Sequence, residues 1–206
     1  MNEIRNIIFD LGGIFINIDF DRSRQAFEAL GISNFQEMFT QHHASNLFQL
    51  LERGELSSTQ FHERLVKETG LSLSYNNVVA AWNALLLDFP PERLEWLDQV
   101  RRKYRVFLFS NTNQIHYDAF TAGFTAMTGR SFNDYFEKAY YSHEMGLRKP
   151  DPESFRFILK EQDLKPEETL FVDDTIKNIE AAQSVGLHTF HVMPPLTVLD
   201  IKLDAL

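Results

Sequence analysis

Three apolar runs in this chain each end on oxygen-bearing side chains. Ile7-Ile8-Phe9 stops at Asp10 and is followed by Leu11-Gly12-Gly13. Val106-Phe107-Leu108-Phe109 runs into Ser110-Asn111-Thr112, and Thr169-Leu170-Phe171-Val172 stops at Asp173-Asp174. Short, continuous apolar runs read as strands buried on both faces, and paired glycines let the backbone turn sharply after the first. If the three strands are parallel, their carboxyl ends share the edge at which open α/β sheets hold ligands. Three carboxylates, a hydroxyl and an amide then converge. Two carboxylates about 5 Å apart repel by roughly 3 kcal/mol at an effective dielectric near 20, so the cluster requires protonation or a cation. A hard divalent ion is the simplest answer, because magnesium takes one or two carboxylates together with water and substrate phosphate. Lys149, in the loop Gly146-Leu147-Arg148-Lys149-Pro150, offers a further fixed positive charge, and the proline after it stiffens the loop.

The elements that must position these groups follow from periodicity. Between the first strand and Phe89-Pro90-Pro91 the chain shows no strong strand signal and reads as helices. Ile14–Ile18 is expected as a short hairpin or flap over the Asp10 end. Ser57 and Gln60 form a capping-box pattern, Phe61 and Leu65 mark a buried face, and Gly70 stops that helix. Val78, Ala81, Trp82 and Leu85 recur at i, i+3, i+4 and i+7 on another. After Pro91 helices and strands alternate: a helix to about Lys103, the Val106 strand, a helix from Asn113, a strand at Lys138–Tyr141 and a helix capped by Asp151 with Pro152 in its first turn. The Thr169 strand, a helix with Ile176, Ile179, Ala182 and Val185 inward, and a last strand at Leu187–Val192 complete the series. The tail beyond Pro195 carries no clear signal.

At 206 residues the chain is long enough for one full α/β domain and a small insert. A net charge of −9 disfavours nucleic acid or an anionic membrane as partner. The absence of cysteine excludes disulfides and thiolate metal sites. No apolar run approaches membrane-spanning length. A cytoplasmic monomer with a small-molecule partner is the default.

The strings Ile8-Phe9-Asp10-Leu11-Gly12-Gly13, Phe109-Ser110-Asn111, Arg148-Lys149-Pro150-Asp151-Pro152 and Phe171-Val172-Asp173-Asp174 resemble, in order and spacing, the four motifs of the haloacid dehalogenase superfamily. The resemblance implies an α/β fold: a Rossmann-like parallel-sheet core (1–14 and 89–206) with a small helical cap inserted after strand one (15–88), as in the subgroup of small sugar-phosphate phosphatases. It implies that Asp10 is the nucleophile that forms an aspartyl-phosphate, that Ser110 binds a phosphoryl oxygen with Asn111 beside it, and that Lys149 balances the charge of nucleophile and phosphate. It also implies Mg2+ held by Asp10, the Gly12 backbone carbonyl and Asp174, with Asp173 as a further ligand or supporting partner.

Two positions depart from that pattern. Phosphatases of the family usually carry Asp-x-Asp, and the second aspartate protonates the leaving alcohol and then activates water; here residue 12 is glycine. General acid–base help is typically worth about 10²–10⁴-fold, so turnover survives its loss best where the leaving group needs little protonation. The Phe-Asp-Leu-Gly opening is similar to that of sugar-1-phosphate phosphatases, which fits. Asp19 or Asp21 is a candidate stand-in, although helix N-capping explains both more simply. Four residues beyond Asp174, Asn178 stands where many relatives carry an acid, so weaker metal binding is expected.

Other residues are read as structural. His42 and His43 are adjacent and belong to a solvated surface, and His116, His143, His188 and His191 have no metal-ligand spacing. The 19 phenylalanines are read as core and cap–core contact, not a cofactor box, and Trp82, next to Asn83, fits an apolar stripe. Phe15, Asn17 and Glu52 are candidates for the substrate mouth. The expected function is a magnesium-dependent phosphatase of small phosphorylated metabolites, sugar phosphates foremost. The alternatives are a weak or inactive phosphometabolite-binding protein, in which Gly12 has removed the acid, and a metal-independent dehalogenase, for which paired acids at Asp173-Asp174 would serve no purpose. A phosphomutase is disfavoured because it needs the missing acid.

Overall fold

The computed structural model describes residues 3–40 and 43–202. The first strand, β1 (Asn6–Phe9), leads through a tight turn into a block built from α1 (Phe20–Ala29), α2 (Phe35–Met38), the short strands β2 (Phe39–Thr40) and β3 (His43–Ala44), α3 (Asn46–Glu52), α4 (Ser58–Thr69) and α5 (Tyr75–Asn83). The chain returns as α6 (Pro91–Val100), β4 (Arg105–Ser110), α7 (Gln114–Thr128), β5 (Lys138–Tyr141), α8 (Ser142–Met145), α9 (Pro152–Glu161), β6 (Thr169–Asp173), α10 (Ile176–Ser184) and β7 (His188–His191). The five long-range strands form one parallel sheet in the order β5-β4-β1-β6-β7. β1 is therefore central, flanked on both sides by the strands that carry the other polar ends.

Register fixes which of those ends are level. Phe9 pairs with Leu108 on one side and Val172 on the other, and the Asp10 N–H donates to the Val172 carbonyl at 2.9 Å. Asp10 consequently stands level with Asp173 and one residue short of Ser110. Side chains alternate across the sheet, as the strand period requires. Ile7, Phe9, Val106, Leu108, Leu170 and Val172 face one apolar cluster with Leu97, Phe124 and Phe132, whereas Ile8, Phe107, Phe109 and Phe171 face another with Phe155, Ile158, Ile179 and Ala182. Both faces are buried, which is why the strands read as unbroken apolar runs.

The helical block has an apolar cluster of its own. Phe27, Phe35, Phe48, Phe61, Leu65, Val78 and Trp82 are its buried centre, and the Trp82 ring meets Phe39 edge-on at 4.6 Å and Phe48 at 5.0 Å. The capping box at Ser57 and Gln60 is formed, and Gly70 closes α4 in the left-handed conformation at φ 68°. Ser74 caps α5 and Asp151 caps α9, with Pro152 in its first turn. The two connections between block and sheet run side by side: Asn17 N–H donates to the Asp88 carbonyl, Leu87 N–H to the Asn17 carbonyl, and Ile18 bridges antiparallel to Leu86.

Several local expectations need correction. The block is not purely helical, because β2 and β3 pair antiparallel; two residues per strand carry no readable alternation. Helix α6 ends at Val100 instead of Lys103. Ile176 is 47% exposed, so it does not belong to the inward face of α10. The tail is not idle, since Val198 and Ile201 are buried against the sheet. His42 lies outside the described residues, and nothing is described of the His43 side chain.

Candidate active site

Lys149 is the centre of the polar cluster. Its ammonium is 1% exposed and donates to Asp10 Oδ1 at 2.7 Å, to Asp173 Oδ2 at 2.7 Å and to the Phe109 carbonyl at 2.8 Å. Three acceptors satisfy its three donors. Its loop is held by Asn111, whose Nδ2 donates to the Lys149 carbonyl and whose Oδ1 accepts from the Lys149 N–H, both at 2.9 Å. The Asn111 amide is thus engaged with the backbone that carries the lysine. Ser110 is buried at the end of β4 and lines the same cavity as Asp10 and Lys149.

The two acids after β6 face different tasks. Asp173 is fully buried and both of its oxygens are taken: Oδ1 accepts from Thr175 N and Asn178 Nδ2, and Oδ2 from Lys149 Nζ and Asn178 Nδ2. It holds the lysine and has no lone pairs directed to open space. Asp174 instead lines the cavity beside Asp10. A β-carbon on Gly13 would stand 2.6 Å from Asp174 Oδ2, and Gly13 has φ +70°. Only glycine lets the turn after Asp10 pass this close to a carboxylate.

Carboxylate oxygens from Asp10, Asp173 and Asp174 lie within 4.8 Å of one another. Desolvation pushes the Asp10 carboxyl up to about 7, the neighbouring charges of Asp173 and Asp174 add to the rise, and Lys149 only partly offsets it. Asp174 is pushed up by burial and by Asp173. On Lys149 burial acts downward, but Asp10 and Asp173 together outweigh it and the net shift is upward. With all three carboxylates ionised, the one ammonium would leave two negative charges, and the raised pKa values of Asp10 and Asp174 reflect that strain. An oxygen-only donor set with that surplus suits a hard divalent cation. Asp10, Asp173 and Asp174 could each offer an oxygen to it, and of these Asp10 and Asp174 line the cavity together with Gly12. Asp173 also offers an oxygen to such an ion, but both of its oxygens already accept hydrogen bonds, which favours the supporting role of the two expected for it.

The cavity above this cluster has a volume of about 430 Å³ and is roofed by the helical block through Phe20, Phe39, Thr40, Gln49 and Glu52. Of the three candidates for the substrate mouth, Glu52 lines it. Phe15 is fully buried and packs edge-on against Phe9 at 5.2 Å, and Asn17 donates to Asp88 at 3.1 Å outside the cavity. Trp82 is core, as its stripe implied. Asp19 caps α1 through Asp21 N and Arg22 N, and neither Asp19 nor Asp21 lines the cavity, so neither of these two is placed to stand in for residue 12.

Sequence reasoning missed three residues of this site. Asn178 reads as a lost charge, but it is a donor to both oxygens of Asp173. Arg148 reads as a neighbour of the lysine, but it is ion-paired with Glu52 across the cavity wall at 2.8 Å. His116 lines the cavity, stacks on Trp82 at 4.5 Å and places Nε2 3.1 Å from the Trp82 carbonyl, joining α7 to the block. Only the helix periodicity of α7, which turns Ile115 and His116 inward together, hinted at the last.

Comparison with known proteins agrees with this geometry. The haloacid dehalogenase-like hydrolase family matches residues 4–186. D-ribitol-5-phosphate phosphatase of Bacteroides thetaiotaomicron is 35% identical over 187 residues, 91% of each chain. The crystal structure of a haloacid dehalogenase family enzyme from the same organism, an alanine variant in complex with magnesium and inorganic phosphate, superposes with a TM-score of 0.90 at 34% identity, covering 97% of this chain and all of that one. A haloacid dehalogenase-like hydrolase of Porphyromonas gingivalis superposes with a TM-score of 0.85 at 35% identity over 92% of this chain and 91% of its own. With the four motifs assembled on one sheet edge and the match extending along nearly the whole chain, the protein belongs to the haloacid dehalogenase-like hydrolases.

Proposed function

We propose that this hydrolase is a magnesium-dependent phosphatase of small phosphorylated metabolites, with phosphorylated sugars or sugar alcohols as substrates and Asp10 as nucleophile. The observation that carries the reading is the Lys149 ammonium, held 2.7 Å from Asp10 and from Asp173 beneath a cavity that also holds Asp174. An ammonium fixed there orients the Asp10 carboxylate and meets the incoming phosphoryl charge. Asp10 attacks phosphorus, the bond to the leaving oxygen breaks, and an aspartyl-phosphate forms. Water then attacks phosphorus, phosphate leaves, and the Asp10 carboxylate is regenerated. Ser110 donates to a phosphoryl oxygen, while Asn111 and Asp173 keep Lys149 in place. Asp10 and Asp174 would hold magnesium, which would supply positive charge to offset the repulsion between a carboxylate and a phosphate. The helical block acts as a cap that shields the acyl phosphate from bulk water and admits only small substrates.

The ribitol 5-phosphate of the similar enzyme supports a polyol or sugar ester as substrate. Its leaving group is a primary alkoxide, which takes its proton from water where residue 12 offers none. Gly12 also favours a second reading, a phosphometabolite-binding protein with little turnover. Phosphate release from a panel of sugar and sugar-alcohol phosphates, with magnesium and with chelator, separates the two. Magnesium-dependent release is expected. Release that persists in chelator contradicts the proposal, and tight substrate binding without release favours the binding protein.

A further inference from the structure

Arg93 is poorly explained by the helix that carries it. It stands in the first turn of α6, where the positive end of the helix dipole disfavours a cation. Although the chain carries a net charge of −9, no carboxylate among the described residues pairs with it. Its guanidinium is spent on backbone instead: Arg93 Nη1 donates to the Gly13 carbonyl at 3.3 Å and to the Ile14 carbonyl at 3.1 Å. Both belong to the turn after Asp10. That turn is tied within itself by Phe15 N–H and Ile16 N–H, which donate to the Leu11 carbonyl at 2.9 and 3.2 Å, and by Gly13 N–H, which donates to the Ile16 carbonyl at 2.9 Å. Among the described residues no backbone amide takes the carbonyls of Gly12, Gly13 or Ile14. Arg93 takes the last two and leaves that of Gly12, the residue that lines the cavity beside Asp10. The same turn presses on Asp174, whose Oδ2 stands 2.6 Å from where a β-carbon on Gly13 would be.

We infer that Arg93 is a positioning residue for the metal site: by holding the Gly13 and Ile14 carbonyls it fixes the turn between Asp10 and Asp174, so that the Gly12 carbonyl and the two carboxylates are in place before a divalent ion arrives. The inference rests on the magnesium part of the phosphatase reading and adds a residue that does not line the cavity. Two successive glycines give the turn more conformational freedom to lose than any other pair. Carbonyls without partners would let it relax, and hydrogen bonds from a charged donor are the stronger kind. Ordering the turn in advance removes that cost from ion binding. Groups that orient metal ligands from behind are typically worth about 10–100-fold in metal affinity. The charge of Arg93 acts in the opposite direction, because a cation near the site repels a second one. Removing Arg93 for its charge alone would tighten magnesium binding, whereas removing it for its geometry weakens binding. The sign of the change separates the two roles.

The test is calorimetric titration of magnesium chloride into the metal-free protein, without substrate, for wild type, Arg93→Met and Arg93→Lys. The magnesium Kd of Arg93→Met is expected to rise about 10-fold or more, and Arg93→Lys, which keeps a charged donor, should stay within about 3-fold of wild type. A Kd in Arg93→Met that is unchanged or lower overturns the inference, as does an equal rise in both variants. Should Arg93→Met fail to fold, Arg93→Gln, which keeps one uncharged donor for the turn, takes its place. A rise of at least about 3-fold in that variant upholds the inference, and a smaller one refutes it. Hydrolysis of D-ribitol 5-phosphate gives a second readout: the turnover lost in Arg93→Met should be greatest at limiting magnesium and be recovered to within about 3-fold of wild type at saturation, with KM for the ester little changed. A loss that saturating magnesium does not recover would mean a structural role alone and contradict the inference. If wild type binds magnesium but hydrolyses no phosphate ester, the phosphatase reading fails and the magnesium affinities still decide the role of Arg93. If wild type binds no magnesium, the metal site and this inference fall together.

Discussion

The δ-methyl of Ile18 fills the space that a β-carbon on residue 12 would need. Ile18 comes from the connection that bridges to Leu86 and lines the cavity opposite Asp10, so the position where phosphatases of this family usually place an acid is closed by an apolar side chain. The obstacle is the free end of a side chain and yields when shortened. Gly12→Asp alone is therefore expected to fold but to gain little. Gly12→Asp with Ile18→Ala should raise turnover of a primary alkyl or pentitol phosphate by about 10-fold over Gly12→Asp, below the 10²–10⁴ of a well-positioned acid. Steady-state phosphate release measures this, and a double variant no faster than the single one would show that more than Ile18 keeps the acid out.

Lys149 has no substitute among its contacts. Lys149→Met leaves Asp10, Asp173 and Asp174 together without the ammonium that touches two of them. Removing one partner of a buried ion pair costs about 3–5 kcal/mol, and the variant should lose that much stability in chelator and recover part of it with magnesium. Denaturant unfolding with and without the ion reads both values. A variant as stable as wild type in chelator would contradict the charge argument.

His116 makes the union of block and sheet sensitive to acid. Its neutral ring, with the proton on Nε2 toward the Trp82 carbonyl and Nδ1 accepting from Asn113, satisfies both contacts. Burial lowers its pKa to about 4, against which the Trp82 carbonyl acts only weakly. The folded state thus resists a proton that the unfolded chain accepts near pH 6.5. This contribution to stability is complete above pH 6.5 and is lost as pH falls toward 4, where the loss reaches about 3 kcal/mol. His116→Gln should remove that part of the pH dependence. Identical slopes of unfolding free energy against pH for wild type and variant would refute it.

Much of the site is legible in the sequence because strand ends are chemically abrupt. An apolar run that stops at Asp10, Ser110 or Asp173 announces both the strand and its exit, and a parallel sheet brings the exits together. The role of Asn111 and the choice between the two roles open to Asp173 are not legible, since a carboxylate bonded to a buried lysine and one lining the cavity look alike in a string of letters. What separates Asp173 from Asp174 is a half-turn of side-chain direction at the end of β6. Glu52 was legible only as a candidate, because its partner Arg148 lies nearly a hundred positions away and the ion pair exists only once the block has folded over the sheet. The β2 and β3 pair is too short for alternation to register. Ile176 fits the helical period of α10, but it is the first residue of that helix and is largely exposed there.

Nucleophilic attack by Asp10 is tested most directly by fluoroberyllate, which binds carboxylates as a mimic of an acyl phosphate. The 19F NMR spectrum of the wild-type protein with magnesium is predicted to show bound resonances that vanish with chelator and are missing in an Asp10→Asn variant of unchanged unfolding midpoint. Bound resonances that persist in Asp10→Asn, or that form equally without magnesium, would contradict the account.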